Sequence, residues 1–357
     1  MPVFDYSICH LDHKLSALWM RQTTMLKRRA FLTFSPIRLA TSTGYWQHIS
    51  RSAMACRFEV TLPLDDPAGV SVARQALDEV ERLEAQLTIF RENSEVSFIN
   101  QQAAYGPTRV EERLFSLLLF CQELCRETGG AFDITSGRLS RCWGFVRREG
   151  RIPEPDEIEQ ARSLVGSDKL LFDREARTVR FAHAGVEINL GSVGKGYTLD
   201  RIAAMMRNHT RSALLSAGAS SIYAIGCGDH GDNGWVVGVR HPADKSRRLA
   251  IARLRDVALS TSGGEEQFFE RGGKRYGHII DPRTGWPADR VSSVTVIAPS
   301  AAVTDALATA FYVGGPELAA AYCDAHPNIL VLMLESGAKR PVIFGANDQC
   351  EMEIINE

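Results

Sequence analysis

Asp305 and Thr309 stand four residues apart in an apolar run, so a helix there places both on one face. Val303, Ala306, Leu307, Ala310 and Phe311 surround them. A carboxylate in such company wants a partner. One carboxylate with one hydroxyl is an oxygen set that suits Mg²⁺, which keeps waters or substrate phosphates as its other ligands. The plainer reading is a solvated aspartate and a threonine bonded back to a carbonyl.

A second stretch, Gly191-Ser192-Val193-Gly194-Lys195-Gly196-Tyr197, lies where a strand pattern gives way to a helix pattern. Its glycines let backbone N–H groups approach an anion, the helix N-terminus favours negative charge, and Lys195 adds a cation. It lacks the Walker spacing and has no Ser/Thr after the lysine. A tight turn with a surface lysine explains it equally well. The third stretch runs from Gly277 to Pro287 as Gly-His-Ile-Ile-Asp-Pro-Arg-Thr-Gly-Trp-Pro. Pro282, Gly285 and Pro287 dictate a rigid turn that projects His278 and Asp281 from a strand end, and a histidine beside a carboxylate is a natural general base. In the fourth, Gly129-Gly130-Ala131-Phe132-Asp133 precedes Trp143-Gly144-Phe145. These residues either hold a ring system or form a helix stop with core aromatics.

The elements that must position these groups are legible in outline. Residues 58–62 alternate as a strand closed by Pro63. Helical spacing covers 72–87 and 111–127, the latter stopped by Gly129-Gly130, and a further short helix follows Pro155. A strand at 186–190 leads into the lysine loop and a helix at about 197–208. Strands are expected at 213–216, 221–225, 235–240, 249–254, 293–298 and 328–334. A helix at 301–313 ends at Gly314-Gly315, with one more after it. Short turns between many strands argue for an α+β fold of mixed or antiparallel sheets with packed helices, not a regular βαβ series. Gly226-Cys227-Gly228-Asp229-His230-Gly231 matches G-x-G-x-x-G, but a strand follows it instead of a helix, so it reads as a hairpin loop.

Bulk properties narrow the class. At 357 residues, 45% hydrophobic and 24% charged, the chain reads as an ordinary soluble globular protein. A net charge of −2 gives no general reason to expect nucleic acid or an anionic membrane as partner. The eight cysteines form no Cys-x-x-Cys pair, and Cys121 and Cys125 fall in an apolar helix as reduced core residues, which favours a reducing compartment. Residues 1–60 hold eight Lys/Arg against three Asp/Glu, and 1–50 read as a basic, poorly ordered extension ahead of one domain at 51–350. Lys27-Arg28-Arg29-Ala30-Phe31-Leu32 looks like a twin-arginine export signal, but Pro36 and Arg38 break the apolar region it needs. The expectation is therefore a cytoplasmic protein, with export as the alternative. No apolar run approaches the roughly 18 residues of a membrane span.

The order of the motifs is more telling than any one of them. Ser94-Glu95 precedes Asn100, then come Gly130-Ala131-Phe132-Asp133 and Trp143-Gly144-Phe145. Asn189-Leu190-Gly191 follows with Lys195-Gly196-Tyr197 and Asp200, then Thr261-Ser262-Gly263. His278-Ile279-Ile280-Asp281-Pro282 with Thr284-Gly285, and Asp305-Ala306 with Thr309, complete the series. Over about residues 51–335 this resembles the FAD:protein FMN transferase family, the ApbE-like flavin transferases. The resemblance implies a two-lobed, T-fold-like catalytic unit. It implies an enzyme that cleaves FAD between its phosphates and joins FMN to a Thr or Ser hydroxyl of a target protein. Asp305 and Thr309 would then bind Mg²⁺ with the backbone carbonyl of Ser192, and Lys195 would sit by the pyrophosphate or flavin. Met54, Phe90, Ala131, Phe132, Asp133 and Asn189 would line the FAD pocket, with His278 and Ile280 beside the phosphates. His278 or a nearby carboxylate such as Asp281 would take the proton of the incoming hydroxyl.

Several positions depart from the family pattern. Met54-Ala55-Cys56 replaces Met-Gly-Thr, Phe90 replaces a pocket tyrosine, and Asn189-Leu190-Gly191 replaces Asp-Leu-Gly. Gly218-Ala219-Ser220-Ser221 replaces paired glycines and a polar residue, and a lipoprotein signal is missing. Two other functions remain open at this point: an FAD pyrophosphatase using water as acceptor, and a flavin-binding protein without turnover.

Overall fold

The computed structural model describes residues 37–38, 45–228, 234–244 and 246–355. The twin-arginine-like segment and most of the expected extension lie outside them. The extension's expected end at residue 50 falls inside a strand: Tyr45–Ala53 pairs with Cys56–Pro63 along its length, and Ile37–Arg38 pairs with its start. Buried Trp46, Ile49 and Ala53 hold that strand in the core.

The centre is a nine-stranded sheet in which every neighbouring pair is antiparallel. Its order is Ile37–Arg38, Tyr45–Ala53, Cys56–Pro63, Ala213–Ala217, Ser221–Ile225, Ala258–Gly263, Val291–Ala298, Leu330–Glu335 and Val342–Gly345. The third and fourth strands are neighbours although about 150 residues separate them. That excursion carries helices α1 (Pro67–Leu87), α2 (Glu95–Gln102), α3 (Glu112–Glu127), α4 (Gly137–Cys142), α5 (Pro155–Ser163) and α6 (Gly194–Met206). Helix α7 (Ala301–Ala325) follows the strand Val291–Ala298. The α+β expectation therefore holds, with wholly antiparallel pairing in the main sheet.

One face of the sheet is covered by α1 and α6, through Ala73, Leu77 and Val80 against Leu199, Ile202 and Met206. The other is covered by a three-stranded sheet of Trp235–Arg240, Arg248–Leu254 and Cys350–Ile354, through Trp235, Val237 and Leu254. The glycine-rich segment at 226–231 thus leads from one sheet to another and is not a hairpin loop; its residues 229–231 lie outside those described. A second region, built from α2, α3 and the small sheet of Thr108–Arg109, Thr178–Phe181 and Leu170–Asp173, packs beside α7, while α4 and α5 cluster with Trp143, Phe145 and Ile280.

Residues 186–190, expected as a strand, join no ladder. Asn100 takes the place of a neighbouring strand: its side chain donates to the Ile188 carbonyl at 2.9 Å and accepts from the Ile188 N–H at 2.8 Å. Helix α7 is interrupted where the sequence places a stop, since Gly315 has φ 75° ahead of Pro316.

Helices α6 and α7 meet at Gly196. A Cβ built there would lie 2.0 Å from the Ala301 carbonyl oxygen, so only glycine permits this approach. Asp200, one turn on, locks the contact by accepting from the Ala301 and Ala302 N–H groups and the Ser300 hydroxyl at 2.7–2.9 Å. Gly196→Ala should therefore push α7 off α6 and cost about 1–3 kcal/mol, measurable by urea unfolding; an unchanged midpoint would show that the helices separate freely.

Candidate active site

Two adjoining clefts, of about 240 and 540 Å³, meet at Asn189, Gly191, Lys195 and Glu266. The first is lined by Ala131, Phe132, Asp133, Asn189, Ser192, Lys195, His278, Ile280, Asp305 and Thr309. The second adds Met54 and Phe90. The fold thus gathers the expected site residues from six separate stretches of chain, with one exception. Asp281 lines neither cleft: its carboxylate accepts from the Arg283 backbone N–H at 2.9 Å and from its guanidinium at 2.8 and 2.9 Å. The residue shapes the turn, and its expected role as a proton acceptor has no geometric basis.

Asp305 is 7% exposed on the first helical turns of α7. It accepts from the Gly196 N–H at 2.9 Å and the Ser221 hydroxyl at 3.3 Å. Burial raises its pKa above the ordinary carboxylate value, although the Lys195 charge and these hydrogen bonds pull it back. The Thr309 hydroxyl lies 3.4 Å from the Asp305 carbonyl and 3.4 Å from the Ser262 hydroxyl, both long contacts. A carboxylate oxygen and loosely held hydroxyls therefore face one cleft, with Ser192 on its wall. Hard oxygen donors of this kind fit Mg²⁺.

Lys195 projects from the start of α6 and donates to Ser220 Oγ at 2.7 Å. Burial pulls its pKa down, but the charges of Asp305 and Glu266 outweigh that and hold it above the usual lysine value. It remains a full cation where the clefts join. Cys56, nearby, is pushed up to about 11 by burial and stays a thiol, which removes it as a nucleophile.

His278 follows the strand Lys274–Gly277. Its Nδ1 lies 3.1 Å from the Gln267 carbonyl oxygen. A carbonyl only accepts, so Nδ1 carries the proton and the lone pair is on Nε2. Burial lowers the ring's pKa and Lys195 adds to that, against the opposing charge of Glu266 and the Gln267 hydrogen bond. The ring is a neutral base at physiological pH.

The glycine-rich fourth stretch is settled by its packing. Trp143 is fully buried and donates from Nε1 to the Gly285 carbonyl at 2.8 Å, so it braces the histidine turn and holds no ligand ring. Asp133 is buried with its carboxylate engaged by Thr135, Ser167 and Cys125. It stiffens the cleft wall, while Ala131 and Phe132 form its apolar surface. Asn189 accepts from the Gly191 N–H at 2.9 Å and shapes the lysine loop. Ile280, 7% exposed, bridges antiparallel to Pro287.

In the second cleft Phe90 is 74% exposed, an uncovered ring at the mouth. Met54 and Ala55 turn the first hairpin with φ 49° and 59°, left-handed values held without glycine, and the Met54 N–H donates to Glu84 at 2.6 Å. Glu266 and Gln267 belong to no motif read above. The Gly263-Gly264-Glu265-Glu266 run shows an acidic pair after glycines, but nothing in it shows which carboxylate meets the cleft.

Residues 54–333 match the ApbE family. The FAD:protein FMN transferase of Treponema pallidum is 32% identical over 278 residues, covering 72% of this chain and 76% of that protein. That of Vibrio cholerae is 28% identical over 302 residues, covering 82% and 89%. Among solved structures, the ApbE protein of Thermotoga maritima superposes with a TM-score of 0.76 at 30% identity, covering 84% of this chain and 97% of that one. The flavin transferase ApbE from Vibrio cholerae superposes at 0.74 with 26% identity, covering 86% and 98%. With its motif order, its fold and the two clefts in agreement, the chain belongs to the ApbE family.

Proposed function

We propose that this protein transfers FMN from FAD to a Thr or Ser hydroxyl of a partner protein and releases AMP. The observation that carries the reading is the meeting of two clefts at Lys195, with Asp305, Thr309 and His278 all on the walls of one of them. A ligand with two ring systems joined by a charged linker fits that layout, and FAD is such a ligand. The relatives named above are FAD:protein FMN transferases, which supports the same donor and the same kind of acceptor.

Asp305, Thr309 and the Ser192 carbonyl would hold Mg²⁺, which when bound supplies positive charge beside the phosphates. Lys195 binds the diphosphate and stabilises negative charge on the departing AMP. Neutral His278 accepts the proton from the incoming hydroxyl as the new P–O bond forms and the P–O bond to AMP breaks. The protein needs no nucleophile of its own, consistent with seven described cysteines that are all free and in no catalytic pair.

The test uses purified protein, FAD, Mg²⁺ and an acceptor protein with a Thr in an exposed loop. Docking holds the hydroxyl near phosphorus, so AMP release should accelerate on adding the acceptor. Flavin should then remain on it through denaturation. Changing that Thr to Val should eliminate the adduct. Fast, acceptor-independent release of AMP and free FMN would make the protein a pyrophosphatase instead.

A further inference from the structure

We propose that Gln267 is a positioning residue that holds His278 in the tautomer able to accept the hydroxyl proton. The inference rests on the general-base reading of His278 given above. The histidine stands at the base of a hairpin formed by Phe268–Arg271 and Lys274–Gly277, which is hydrogen-bonded to no other strand among the described residues. An isolated two-stranded ribbon is marginal by itself, so its base is rigid only if something outside the ribbon fixes it. Gln267 occupies the base opposite His278. Its carbonyl oxygen accepts from the His278 backbone N–H at 3.0 Å and pairs with Nδ1 at 3.1 Å. Its side-chain amide donates to the Phe145 carbonyl at 2.9 Å. One residue therefore ties the histidine ring to the segment at Phe145, through its main chain on one side and its side chain on the other.

The surface that receives it is firm. Phe145 is 6% exposed and Trp143 fully buried. Phe269 stacks on Tyr276 with centroids 5.2 Å apart, and Tyr276 lies 5.7 Å from Trp143. These rings hold the ribbon down, while the Gln267 amide sets the direction of the carbonyl that meets the imidazole. The charged groups acting on the ring are Glu266, beside it in the ribbon base, and Lys195 from α6. They bias whether the ring is charged. The Gln267 carbonyl decides which nitrogen keeps the proton when it is neutral.

Gln267→Met keeps the length of the side chain and removes its donor. Nitrogen-15 spectra of labelled histidine should show His278 as the Nδ1–H form in the wild type and as a mixture of tautomers in the variant. Transfer at saturating FAD should slow roughly 10- to 100-fold, the scale of a misplaced catalytic group. In a His278→Ala background the same substitution should bring no further loss, because its effect passes through the ring. An unchanged tautomer in Gln267→Met would overturn the proposal, as would equal slowing with and without His278. If His278→Ala alone keeps the full rate, the general-base reading falls, and the nitrogen spectra by themselves decide whether Gln267 sets the tautomer.

Discussion

Asp305→Asn should lose Mg²⁺-dependent FMN transfer while keeping its fold. The substitution preserves volume and an acceptor for the Gly196 N–H, 2.9 Å away in the native site, and removes only the charge. Asp305 is the one carboxylate in the proposed metal set, and charge neutralisation by a metal contributes several kcal/mol to such a displacement, roughly 10³-fold in rate. Asp305→Ala should lose at least as much, with added instability from an unpaired Gly196 N–H in a buried setting. Binding can be followed apart from turnover. Mg²⁺ should raise the wild-type thermal midpoint, since a ligand held only by the folded state stabilises it, and should leave Asp305→Asn unmoved. Full activity in Asp305→Asn, or wild-type activity undiminished by EDTA, would remove the metal assignment.

The second large effect is expected at His278. Loss of a general base costs about 10²–10⁴ in rate, so His278→Ala should bind FAD yet transfer slowly at neutral pH. The pH dependence gives a sharper reading. A base works only when neutral, and burial holds the His278 pKa below its ordinary value. Activity should thus persist into more acidic solution than an ordinary histidine permits, with the acid limb of kcat/KM below about 6.5. That limb belongs to the free enzyme, where Glu266 and Lys195 are the charged neighbours acting on the ring. It should vanish in His278→Ala. A variant with the wild-type rate and the same acid limb would assign the base to another group, and Glu266, which lines both clefts, would be the first to examine.

Much of this site can be read from the chain because its parts are local. The helical spacing of Asp305 and Thr309, the glycines around Lys195 and the prolines around His278 are each dictated within a few residues by backbone sterics. So is the stop at Gly314-Gly315, while most of the central strands show as short apolar runs because both faces of the sheet are covered. Asp281 shows the limit of that reading. Its neighbours in sequence suggest a catalytic carboxylate beside a histidine, yet Arg283, two residues on, holds both of its oxygens. Trp143 and Phe145 likewise read equally well as ligand platform or core until Gly285 and the Phe269 hairpin are seen against them.

By itself, then, the sequence marked out most of the candidate site residues and their order, since motif spacing and local turn geometry depend only on near neighbours. The tertiary structure decided which of them share a cavity. Residues 186–190 run extended without a strand partner because Asn100, 88 residues earlier, supplies the hydrogen bonds. Lys195 keeps its charge because Asp305 and Glu266, distant in sequence, face it. His278 is held neutral chiefly by its burial, and its lone pair is defined because a hairpin folds Gln267 against it. Burial, electrostatic fields and hydrogen bonds between remote residues arise only when the chain closes on itself, and those three set the protonation states on which the proposed transfer depends.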